Sequence, residues 1–119
     1  MRKLVQLLSR GFYTKGQENF HQIWAAFSQR PTADLQAMAR MLATLVSPRT
    51  TVFLTQFTHP KASALNEWWQ EDEGSFLTTI HEWTQLLTDL ETKPPQKILV
   101  VGSYYFVATV QSRLRELGA

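Results

Sequence analysis

Side chains of the types that carry catalysis are few in this sequence, and they are scattered along it. The 119 residues include 3 histidines and no cysteine. His21, His59 and His81 fall on different predicted elements and do not have the spacing of metal ligands, so we expect no metal site. The lack of cysteine excludes disulfides, thiolate metal sites and a cysteine nucleophile, and it fits a protein of the reducing cytoplasm.

The most informative pattern lies between residues 97 and 107. An apolar, β-branched run ends at Gly102 and Ser103, and an amphipathic segment follows. This order predicts a buried parallel strand over residues 98–101, a sharp turn at the glycine and a helix over residues 106–117. Ser103 is expected to cap that helix rather than act as a nucleophile, because no base is identifiable near it in the sequence.

Open α/β sheets bind ligands beyond the carboxyl ends of their strands, where helix N-termini point amides at anions. His59, in the loop after a predicted strand, is the best candidate for such a role. Arg30 and Lys61 also follow strands, and each could meet a phosphate or a carboxylate. Other interpretations stay open, since His59 has the features of an ordinary loop histidine and the segment around Ser103 those of a strand–turn–helix unit without a ligand.

Apolar spacing predicts three strands separated by helices. The strands cover residues 20–27, 51–57 and 98–101, which are rich in β-forming side chains. Helices are predicted over residues 2–13, 33–46, 63–69, 76–90 and 106–117. This alternation predicts an α/β fold, with a small, mostly parallel sheet and helices on both of its faces. The length predicts a single domain over residues 1–119.

Composition excludes several classes of protein. Apolar residues make up 44% of the chain and charged residues 18%, which is typical of a globular domain. The net charge is only +2 and the basic residues are scattered, so we expect no nucleic-acid partner. No apolar run reaches the ~20 residues of a membrane span, and the N-terminus lacks the features of a signal peptide. Adjacent Trp68 and Trp69 on a helix would point about 100° apart, so one is expected to be exposed or to be buried in a contact outside this domain.

Three segments, in order, resemble the C-terminal domain of folylpolyglutamate synthase, a family of the Mur ligase superfamily that in many bacteria also has dihydrofolate synthase activity. Residues 27–41 are similar to its strand, turn and helix. Phe53-Leu54-Thr55 with His59-Pro60-Lys61-Ala62 is similar to its strand and His-Pro-Arg-Ala loop. Leu99-Val100-Val101-Gly102-Ser103 with Tyr105-Phe106-Val107 is similar to its closing Gly-Ser-x-Tyr motif.

The resemblance implies a Rossmann-like domain that binds nucleotide and substrate in a cytoplasmic, ATP-dependent ligase joining glutamate to folate. The implied partners are an N-terminal ATPase domain, folate and glutamate. ATP and magnesium belong to the full-length family, and no cofactor is implied for this chain alone. The residues that the resemblance places at the ligand are His59, Lys61, Arg30, Ser103 and Tyr105; none of them is implied to be catalytic.

The chain also departs from the family pattern. The first strand and its Asp-Gly-Ala-His-Asn-Pro loop are missing, and residues 1–8 look like the helix that follows that loop. Gln29-Arg30-Pro31 stands where the family often has Lys-Asp-Lys, and Thr109 stands where the closing helix usually carries Glu. A missing strand would leave an unpaired edge, so we expect self-association, most simply as a two-fold dimer through that edge or the helix bearing the two tryptophans.

Two further interpretations remain. The chain could be a free-standing, degenerate domain that acts as a binding or interaction module. It could also be a flavodoxin-like or nucleotide-binding domain of unrelated role, in which case the resemblance reflects a shared fold.

Overall fold

Five parallel strands form the centre of the molecule in a computed structural model, which describes residues 4–7, 20–70, 76–93 and 96–116. The strands are β1 (Leu4–Leu7), β2 (Gln22–Ala26), β3 (Thr51–Thr55), β4 (Thr78–Ile80) and β5 (Lys97–Gly102). The helices are α1 (Thr32–Ala43), α2 (Leu65–Trp68), α3 (Thr84–Leu90) and α4 (Tyr104–Glu116).

The strands lie in the order β1-β5-β2-β3-β4, and all four neighbouring pairs are parallel. β5 is therefore an interior strand, as its uninterrupted apolar run predicts. In its pairing with β2, Ile98 lies opposite Gln22 and Gly102 lies opposite Ala26. The predicted α/β fold with a parallel sheet is confirmed.

Alternate side chains of β5 enter two separate cores, one on each face of the sheet. Leu99 and Val101 pack with buried residues of α1 and α2, including Leu35 and Trp68. Ile98 and Val100 pack with buried residues of α3 and α4, including Phe106. Both faces are covered, so a strand that is apolar on both sides is stable in the interior of this sheet.

The three predicted strands are confirmed, with ends that differ by at most two residues. β2 occupies the middle of predicted strand 20–27, β3 the first part of 51–57, and β5 extends 98–101 by one residue at each end. The helices predicted over 33–46 and 106–117 are confirmed as α1 and α4.

The helix predicted over residues 2–13 is wrong at Leu4–Leu7, which form strand β1. Apolar residues three and four apart suit a helix face, but here the backbone pairs with β5, from Leu4 opposite Lys97 to Leu7 opposite Val100. The position beside β5 is thus filled by a strand of this chain. The remainder of that predicted helix lies outside the described residues.

The helix predicted over residues 76–90 is wrong in its first part. Thr78–Ile80 form β4, which pairs with β3, and only Thr84–Leu90 are helical. Two threonines and an isoleucine favour a strand once an unpaired strand edge lies beside them. The helix predicted over 63–69 shortens to the four residues of α2.

The expectation that Trp68 or Trp69 is exposed is also wrong. Trp68 is buried and Trp69 is partly buried, and both pack against the same core. α2 ends at Trp68, and Trp69 has extended backbone angles, so the rotation of 100° per helical residue does not apply between them. In the described parts of the chain, no helix has the length and apolar character needed to cross a membrane.

Candidate functional site

Strands β2 and β5 are neighbours, yet the connections that follow them lead to opposite faces of the sheet. β2 leads to α1 on one face, and β5 leads to α4 on the other. Connections that diverge in this way open a crevice at the carboxyl ends of the two strands, and open α/β sheets bind their ligands at such a point. The site predicted from the sequence lies at this end of the sheet.

The turn after β5 requires glycine. Gly102 has a φ of +113°, a conformation that side chains disfavour, and a Cβ built on it would lie 2.2 Å from the carbonyl oxygen of Ala26. Ser103 then starts α4: its Oγ accepts a hydrogen bond from the Tyr105 amide at 3.1 Å, and its carbonyl accepts one from Val107 at 3.0 Å. The cap predicted at Ser103 is confirmed.

Ser28, which is not among the residues predicted from the sequence, completes this turn. Its Oγ lies 2.6 Å from the Oγ of Ser103, and the Ser103 amide donates to the carbonyl of Ala26 at 2.9 Å. The only signal in the sequence is that each serine follows the end of a strand. Their pairing depends on β2 and β5 being neighbours, which local patterns do not reveal.

The loop after β3 is tied to the loop after β2. The Gln29 amide donates to the Lys61 carbonyl at 2.7 Å, and Ser28 and Ala62 form an antiparallel bridge. Ser63 donates to the Phe27 carbonyl through its amide at 3.0 Å and its hydroxyl at 2.9 Å. These bonds hold the His59-Pro60-Lys61 segment against the end of β2.

His59, Lys61 and Tyr105 come together, and we call them the His59 cluster. The rings of His59 and Tyr105 stack with centroids 4.2 Å apart at 24°. The Lys61 Nζ lies 5.7 Å from the centroid of the Tyr105 ring, within the range of a cation–π contact. His59 Nδ1 accepts a hydrogen bond from the Lys61 amide at 3.0 Å, so the neutral ring carries its proton on Nε2.

A cavity of about 480 Å³ lies beside the His59 cluster and is lined in part by His59, Tyr105, Thr109 and Arg113. The Thr109 hydroxyl donates to the Tyr105 carbonyl one turn earlier, at 2.7 Å. Thr109 therefore supports the backbone of α4 at this wall and supplies no charge to the cavity.

Of the five residues selected from the sequence, the structure brings four close to one another. His59, Lys61 and Tyr105 are in contact, and Ser103 lies two residues before Tyr105 and bonds to its amide. Arg30 is exposed in the connection after β2. Within the described part of the chain, its side chain forms no hydrogen bond, ion pair or cation–π contact with the other four.

The cluster suits an anionic ligand with a planar part better than it suits a metal ion. It offers a cation, an aromatic face and a ring N–H donor. The other two histidines lie elsewhere: His21 is at the amino end of β2, where its Nδ1 accepts from the Lys97 amide at 2.9 Å, and His81 follows β4. In the residues that the structure describes, no group of three or more His, Cys, Asp or Glu could hold a metal ion.

No protein-family model, curated protein or solved structure matches this chain.

Proposed function

We propose that the chain is the C-terminal, substrate- and nucleotide-binding part of a cytoplasmic, ATP-dependent folate–glutamate ligase of the folylpolyglutamate synthase type. In this proposal the chain does not catalyse ligation by itself. It closes over an ATPase domain and presents its sheet's carboxyl end to the ligands, which keeps water from an acyl phosphate intermediate.

The observation that carries the proposal is the contact between two segments that resemble that family independently. The His59-Pro60-Lys61-Ala62 loop and the Gly102-Ser103-Tyr104-Tyr105 turn are far apart in the sequence. They meet in the stack of His59 on Tyr105, at the carboxyl end of the sheet, where the connections that follow β2 and β5 diverge. The amino-acid types of the two segments do not by themselves require that the segments contact each other.

The ligand chemistry is consistent with the proposal. Lys61 and Arg30 would hold anionic groups, such as a nucleotide phosphate or a glutamate carboxylate, and the Tyr105 ring would pack on a planar group. ATP would supply the activating phosphoryl group when bound. Its magnesium would need carboxylate ligands from elsewhere, because the His59 cluster contains none.

A binding experiment tests the proposal. We expect amide NMR signals of residues 59, 61 and 102–105 to shift when MgADP, folate or L-glutamate is added to the ¹⁵N-labelled chain. Lys61→Ala should weaken binding by about tenfold, as expected for the loss of one charge-assisted contact. Arg49→Ala is the matched control, since Arg49 is an exposed cation at the amino end of β3.

Two outcomes would contradict the proposal. One is the absence of any shift with all three compounds at millimolar concentration. The other is equal weakening by Lys61→Ala and Arg49→Ala, because binding would then follow overall charge and not the His59 cluster.

We also predict that the purified chain shows no folate- and glutamate-dependent release of ADP. The 119-residue sequence has no Gly-rich loop followed by Lys and Ser or Thr, which would cradle the phosphates of ATP. The measurement is a coupled ADP assay with both substrates present. A turnover of about 1 per second would show that the prediction is wrong.

A further inference from the structure

A second cavity lies between α1 and α2, on the face of the sheet opposite α4. Its volume is about 670 Å³, within the range of small-molecule sites. Its lining shares no residue with the His59 cluster and includes Gln36, Arg40, Asn66, Trp68, Trp69 and Phe76. Phe76 is 76% exposed, which leaves a large aromatic ring open to solvent at this cavity.

Trp68 and Trp69 both line this cavity, which we call the indole pocket. Among the residues that the structure describes, the Nε1 atoms of both side chains are buried and have no hydrogen-bond partner. Trp68 itself is only 5% exposed. By contrast, the buried Trp24 outside the pocket donates to the Oε1 of Gln22 at 2.8 Å. A buried donor without an acceptor is destabilising, so two of them on adjacent residues that line one cavity indicate that a bound group supplies the acceptor.

The other polar groups of the indole pocket indicate which acceptor fits. Arg40 and Glu67 both line the pocket, and of these two charged groups only the guanidinium of Arg40 can pair with a carboxylate. Gln36 is held in place by a hydrogen bond from its Nε2 to the Trp68 carbonyl at 3.3 Å. The Trp69 ring is only partly buried, so a small rotation can turn its N–H toward a bound oxygen.

We propose that the indole pocket binds a small planar aromatic carboxylate. The carboxylate oxygens accept hydrogen bonds from the indole N–H groups of Trp68 and Trp69 and pair with Arg40, while the ring packs against Phe76 and the tryptophan faces. This site goes beyond the proposed function, and its test does not depend on ligands at the His59 cluster.

The test is a titration of the ¹⁵N-labelled chain with 2-naphthoate, followed through the four tryptophan indole N–H signals. Signals of Trp68 and Trp69, assigned from Trp→Phe variants, should move downfield as hydrogen bonds form. The Trp24 signal should stay in place and report that the fold is intact. Naphthoate should bind about tenfold more tightly than 2-naphthamide, which offers an acceptor without the charge.

Variants separate the specific site from a general affinity for aromatic compounds. Arg40→Gln should remove the preference for naphthoate, whereas Arg49→Gln, at an exposed arginine outside the pocket, should keep it. The proposal is overturned if the indole signals of Trp68 and Trp69 do not move, or if Arg40→Gln leaves the preference unchanged. It is equally overturned if 2-naphthylmethylammonium binds as tightly as 2-naphthoate, since the site would then select a cation.

Discussion

At the scale of single residues, the crevice at the carboxyl ends of β2 and β5 depends on three small residues. Gly102 lets the backbone pass close to the Ala26 carbonyl oxygen, since a Cβ at this position would lie only 2.2 Å from that oxygen. Ser28 and Ser103 join the loops after β2 and β5. Larger residues here would push the two loops apart. The same three residues therefore shape the crevice that a ligand would enter and hold the sheet together beneath it.

We predict that Ser103→Ala lowers the free energy of unfolding by about 1–2 kcal/mol, because it removes the cap of α4 and leaves the Ser28 hydroxyl without its partner. Ser28→Ala should cost less, since the cap remains. The double variant should show a coupling of about 0.5–1.5 kcal/mol between the two positions. Urea unfolding of all three proteins measures this, with exposed Ser112→Ala as the control; strictly additive effects would mean that the hydroxyls do not interact.

At the scale of elements, β4 is a short strand with a neighbour on one side. It has three residues and lies at the end of the strand order. Its attachment to β3 includes a hydrogen bond from the buried Thr55 hydroxyl to the Ile80 carbonyl. A short edge strand held by a side chain also limits unwanted pairing with other chains.

Thr55→Val tests this attachment, since it keeps the shape of the side chain and removes the hydroxyl. We expect a loss of about 1–2 kcal/mol in unfolding free energy and faster hydrogen exchange at the amides of residues 78–80. Thr51→Val is the matched control, because Thr51 begins the same strand and is exposed. Equal exchange rates in the two variants would show that the hydroxyl does not hold β4.

At the scale of the whole molecule, one sheet separates two hydrophobic cores. Neighbouring residues of β5 serve different cores, with Ile98 facing α3 and α4 and Leu99 facing α1 and α2. Neither core can form without the sheet, so we expect them to unfold together.

Strand β1 occupies the position beside β5, so no gap in the described sheet argues for a dimer. Self-association stays a prediction that sedimentation across a concentration series can test.

We predict that Ile98→Ala and Leu99→Ala each lower the unfolding free energy by about 2–5 kcal/mol, although they open cavities on opposite faces. In each variant, tryptophan fluorescence and far-UV circular dichroism should show one coincident transition in urea. Val46→Ala, at a partly buried position on the margin of one core, should cost less. Two separate transitions in either variant would show that the cores are independent.

The sequence by itself determined the elements whose signal is local and strong. The apolar run of β5 predicts a buried strand because a strand without a polar face needs cover on both faces of the sheet. Gly102 with Ser103 predicts the turn and cap that follow. The stripes of α1 and α4 predict helices for the same reason. The parallel α/β fold follows from the order of these elements.

Only the tertiary structure decided the short segments and the contacts between distant ones. Leu4–Leu7 and Thr78–Ile80 have too few residues for their own preference to matter, so hydrogen bonding to a neighbouring strand overrides their helical spacing. The pairing of Ser28 with Ser103 and the stack of His59 on Tyr105 depend on strand order, which no local pattern encodes. The indole pocket exists because α2 stops at Trp68 and lets Trp69 return to the same core.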